Sequence, residues 1–76
     1  MSTHEEDLKA IVADIELLEA EVSSNNEELY RIPFEGYTAR RSYLHLRNIY
    51  VAERLSKLRE KRTRKLEVIE WEKRTS

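Results

Sequence analysis

The side chains able to do chemistry in this chain are few, and their spacing suits none of the usual reactions. The sequence holds two histidines, His4 and His45, and no cysteine. Metal sites built on histidine need ligands at short helical spacing or converging from neighbouring segments. His4 and His45 are far apart in the chain and belong near opposite ends of any hairpin. A free amino terminus at Ser2 would place His4 third in the chain, an arrangement that holds Cu(II) or Ni(II) in square-planar nitrogen geometry. Met1 stands ahead of it, so no metal site is expected. His45 reads as an ordinary polar neighbour of the seam, near Asn26.

The nucleophiles fare no better. Ser23, Ser24, Ser42 and Ser56 have no base at a telling distance, and no Gly-rich loop exists to cradle a phosphate. The carboxylate pairs Glu5/Glu6 and Glu27/Glu28 are more simply a helix N-terminal charge cluster and a solvated face. Arg40-Arg41-Ser42 carries the short pattern of a basic-directed phosphorylation site near a helix start, but a pattern of that length recurs by chance. The expectation is no enzyme, no cofactor and no small-molecule substrate.

Binding chemistry is better represented. Arg54, Lys57, Arg59, Lys61, Arg62, Arg64 and Lys65 concentrate positive charge in one segment. Such a segment can lie along phosphates, with affinity falling steeply in salt. It has no aromatic interleaving and no recognisable nucleic-acid motif, so nucleic-acid association through 54–65 is the alternative reading. Tyr30, Ile32, Phe34 and Tyr37 gather rings and apolar bulk near Arg31, Arg40 and Arg41. Aromatics beside arginine are the usual composition of binding hot spots. The same rings would also serve to close the end of a helical pair.

Elements must position these groups, and their limits are marked. The only Pro and the only Gly of the 76 residues are Pro33 and Gly36. Pro33 lacks an N–H and pushes Ile32 out of helical geometry. Gly36 can take the positive φ of a tight reversal. Thr3 with Glu6 matches a capping box, and Thr38 can cap the second helix. Helix formers dominate and strand alternation is absent. The reading is a single domain over 1–76: helix about 3–31, turn 32–37, helix about 38–74.

The apolar spacing then predicts how the helices pair. Leu8, Ile11, Ile15, Leu18, Val22 and Leu29 follow a heptad, with Asn25 in the gap. Leu44, Asn48, Val51, Leu55, Leu58, Arg62, Lys65 and Ile69 follow another, which runs cleanly to Leu58 and then blurs, with Leu66 expected to take over beside Lys65. Folding the chain back at Gly36 sets Leu29 on Leu44, Val22 on Val51, Leu18 on Leu55 and Ile15 on Leu58. It also sets Asn25 on Asn48, a polar layer that disfavours slipped registers. The fold class is therefore all-α, an antiparallel two-helix coiled-coil hairpin associating into a helical bundle.

Charge agrees with this pairing. The residues up to Gly36 hold ten acids and two bases, and the remainder hold five acids and twelve bases. The flanks of the seam carry Asp7, Asp14, Glu21 and Glu28 on the first helix and Arg40, Arg47, Arg54 and Lys61 on the second. The register predicts Glu28 near Arg47, Glu21 near Arg54 and Asp14 near Lys61. A parallel pairing of first helices would line up like charges.

Two helices bury little, and large apolar residues remain off the seam. Tyr43, Leu46, Ile49 and Tyr50 fall on the outer side of the second helix, and Leu17 on the outer side of the first. Near the free ends Val68 and Trp71 have no assigned partner, with Met1 and His4 within reach. An apolar outer stripe on a small helical pair marks a further interface. Tyr43, Leu46, Ile49 and Tyr50, with Phe34 and Tyr37 at the tip, are the candidate partner-binding residues. The functional expectation is a non-catalytic protein–protein interaction module, an adaptor or regulator, meeting another protein or itself as a homodimer or four-helix bundle. No apolar run approaches the roughly 20 residues of a membrane span. The acidic start and the lack of cysteine point to the cytoplasm or nucleus.

Overall fold

The computed structural model describes residues 3–33, 35, 36 and 38–75. Among the described residues two helices are present, α1 (Thr3–Arg31) and α2 (Thr38–Thr75). They pack side by side as an antiparallel hairpin, a rod of 61 × 17 × 14 Å. Its length is that of α2, since 38 residues rise about 57 Å.

The helices end where the backbone demands it. The Ile32 N–H still donates to the Glu28 carbonyl at 2.9 Å, and Pro33, which has no N–H to donate, comes next in the chain. Gly36 has φ +89°, a left-handed conformation that an L side chain adopts only under strain. At the start, Thr3 already lies inside α1, and among the described residues its side chain makes no bond to Glu6. The expected capping box is therefore not formed: a cap residue stands outside helical geometry, and Thr3 is already helical.

The seam is the predicted one. Ile15, Val51, Leu55 and Leu58 form the buried core, with Ile11, Leu18 and Val22 packed against it. Leu44 is buried near the turn, and Leu8 and Leu29 are half-buried. The polar layer closes as expected, Asn25 Nδ2 donating to Asn48 Oδ1 at 3.0 Å. Asn48 Nδ2 then donates to Asn26 Oδ1 at 3.0 Å, so Asn26 is engaged by Asn48, and no bond joins it to His45 among the described residues.

Beyond Leu58 the spacing continues through Arg62, Lys65 and Ile69, and only Leu66 departs from expectation. Leu66 does not take over the seam: it is exposed, while Lys65 and Ile69 are half-buried. The Lys65 ammonium donates to Asp7 Oδ2 at 3.1 Å and lies 3.0 Å from His4 Nδ1. Two acceptors at the end of a long apolar stem let lysine hold a seam position with its charge at the rim. Leu66, one residue on, is thereby rotated to the edge.

Candidate interaction surface

The candidate surface is the side of α2 turned away from α1. Periodicity places Leu44, Val51, Leu55 and Leu58 inward, so residues half a turn away must face out. Tyr43, Leu46, Ile49 and Tyr50 are all exposed, Leu46 at 67% and Ile49 at 58%. They lie over the well-packed part of the seam, so the backbone beneath them is fixed by Val51 and the Asn25–Asn48 layer.

The two tyrosines are held by arginines one turn earlier. The Arg40 guanidinium lies 5.3 Å from the Tyr43 ring centre, and that of Arg47 lies 5.1 Å from Tyr50, both within cation–π range. Each arginine also grips an acid of α1. Arg47 donates through Nε and Nη2 to the two Glu21 oxygens at 2.6 and 2.9 Å. Arg40 makes the same two-pronged bond to Glu28, with Nη2 to Oε1 at 2.8 Å. A planar guanidinium bonded at its edge still offers its face to a ring. The Arg47 hydrogen bonds hold the Glu21 carboxyl below the usual carboxylate range, opposed by partial desolvation. Arg40 does the same for Glu28.

These pairs correct the predicted flank. Glu28 meets Arg40, not Arg47, and Glu21 meets Arg47, not Arg54. Both choices are compatible with an antiparallel register. The tyrosines decide between them: reaching over Tyr50 carries the Arg47 guanidinium along α2 away from the turn, toward Glu21 and off Glu28. Arg54 has no ring three residues on. Among the described residues no ion pair joins Asp14 to Lys61; Asp14 and Arg54 instead border one small recess.

Of the two readings of the tip, closure of the seam by its rings fails for Tyr30. Tyr30 is 93% exposed, so it does not close the seam. Arg41 does: its Nη1 donates to the Leu29 carbonyl at 3.1 Å and approaches the Ile32 carbonyl at 3.4 Å. Those carbonyls end α1 and lack helical partners, so a cation there satisfies both bonding and dipole. Sequence reasoning missed this role. The only signal is an arginine at a seam position in the first turn of α2. Phe34 and Tyr37, named as candidate tip residues, lie outside the described residues.

The basic segment is dispersed by helical twist. Arg54, Lys57, Arg59, Lys61 and Arg64 are exposed, Arg62 is half-buried, and Lys65 is engaged by α1. Arg59 and Arg64 share a shallow groove with Glu60 and Glu67. At the open end, the His4 ring lies between Lys65 and Glu72, with Nε2 3.3 Å from the Glu72 carboxylate. No cluster of metal-ligating side chains exists among the described residues. No helix among them is long and apolar enough to cross a membrane. Compared with known proteins, the chain matches no family model, no curated protein and no solved structure.

Proposed function

We propose that this protein is a non-catalytic protein–protein interaction module, a small coiled-coil subunit, adaptor or regulator of an intracellular assembly. One observation carries the reading. The seam between α1 and α2 is complete, yet Tyr43, Leu46, Ile49 and Tyr50 remain exposed together on the outer face of α2. Apolar bulk grouped on one face of so small a rod is unfavourable in water unless a partner covers it. The rings are already oriented by Arg40 and Arg47, so little side-chain freedom remains to be lost on binding.

The test is a photo-crosslinking residue placed at Ile49 in cells producing the chain. A covalent adduct with protein is expected, and Leu46→Glu with Ile49→Glu in the unmodified chain should abolish association while helicity is retained. Loss of helicity in that variant would put both residues in the core and sink the reading. An adduct with nucleic acid alone would favour the 54–65 segment. That alternative has less behind it, because the bases there are spread around the helix and interleaved with Glu60 and Glu67.

A further inference from the structure

The outer face of α2 is longer than the four residues that draw attention to it. From Tyr43 the positions at alternating steps of three and four are Leu46, Tyr50, Glu53, Lys57 and Glu60. The same steps continue through Arg64, Glu67 and Trp71 to Arg74. Every one of these residues is exposed. This is a second heptad seam on the back of the same helix, unbroken by Gly or Pro over about 46 Å.

Its two kinds of position differ in charge. One carries Leu46, then the acids Glu53, Glu60 and Glu67, and ends in Arg74. The other carries Tyr43 and Tyr50, then the bases Lys57 and Arg64, then Trp71. An antiparallel pairing of two such helices sets one kind against the other in every layer. A parallel pairing sets each residue on itself, giving layers of Glu53 on Glu53, Lys57 on Lys57 and Arg64 on Arg64, which repel.

We infer that the outer face of α2 pairs antiparallel with the same face of a second copy of this chain, Leu46 of one meeting Trp71 of the other. In that register Glu53 faces Arg64 of the second copy, Lys57 faces Glu60, Tyr50 faces Glu67 and Tyr43 faces Arg74. The two-fold symmetry repeats each layer. The apolar ends select this register. Leu46 and Trp71 are 67% and 66% exposed and cover one another, whereas a shift by one heptad would oppose Leu46 to Arg64 or Trp71 to Glu53. The product is a four-helix assembly with the two α2 helices at its centre.

This inference rests on the interaction-module reading and names its partner, and the two can fail separately. Among the described residues neither Glu53 nor Arg64 makes an ion pair within the chain, so exchanging their charges breaks no ion pair of the hairpin. The experiment is sedimentation equilibrium on the full chain with helicity measured in parallel. The wild-type chain should be a dimer. Glu53→Arg and Arg64→Glu should each weaken it at least tenfold, and the double exchange should restore it. An equimolar mixture of the two single variants should form a heterodimer. If either single variant loses helicity, Lys57→Glu with Glu60→Lys provides the same cycle. A dimer indifferent to these charges, or a double exchange no tighter than the singles, would overturn the pairing. A monomeric chain that still yields an Ile49 adduct with another protein would overturn the self-pairing and leave the module reading intact. A monomer with no protein adduct would overturn both.

Discussion

Arginine does three jobs in this hairpin, and each depends on what lies within reach of its fork. Arg41 closes the end of α1 at the Leu29 and Ile32 carbonyls. Arg40 and Arg47 tie α1 to α2 and steady the exposed rings of Tyr43 and Tyr50. These pairs make stability depend on pH. The Glu21 and Glu28 carboxyls are held below the ordinary value of about 4.5 by hydrogen bonds from Arg47 and Arg40. A group with a depressed folded-state value contributes stability that is present above the unfolded value and lost as pH falls through the folded one. The melting temperature should therefore drop as the pH is taken below about 4.5. Arg47→Met should lower it at neutral pH and flatten that acid-side slope, which thermal melts across a pH series would show.

At the scale of the element, each helix is specified by its ends and its stripe. Pro33 and Gly36 stop one helix and turn the chain, and neither needs tertiary contacts to act. A Cβ added at Gly36 would meet open space, so the strain of its φ of +89° is the whole effect. Gly36→Ala should cost about 1 kcal/mol in denaturant unfolding, and Gly36→Asn less, because asparagine visits the left-handed region more readily. Equal losses for both would mean the side chain clashes after all. The second helix carries two stripes, one filled by α1 and one open. That division is only half legible in the sequence. Tyr43, Leu46, Ile49 and Tyr50 stand out there as apolar residues off the seam. The charged layers between Tyr50 and Trp71 do not, because a run of Glu, Lys and Arg reads as solvated surface until the exposed positions are laid along a single line.

For the whole molecule, the register is the property most tightly specified. Among the described residues five side chains are buried, and the Asn25–Asn48 layer lies among them with a donor and acceptor matched. Asn48→Leu alone should destabilise by about 1–2 kcal/mol, since Asn25 and Asn26 lose their partner. Asn25→Leu with Asn48→Leu should raise the melting temperature and permit mixed registers, seen as broadened amide spectra or a mixture of oligomers. A double variant both more stable and uniformly folded would show that the apolar layers alone set the register.

The hairpin, its turn, the seam and the polar layer are all written in the order of the residues. They depend on backbone restrictions and on periodic spacing, which are local or repeat along the chain. Packing of α1 on α2 settles which partner each long side chain takes. Arg47 sits on the flank that its heptad position assigns, but Tyr50 beside it and Glu21 across from it choose where the guanidinium goes. Lys65 holds the position expected of Leu66 because Asp7 and His4 receive its charge. A heptad position gives a direction from the helix axis. It does not give the reach of a side chain with several rotatable bonds, and reach is settled only when the neighbours are in place.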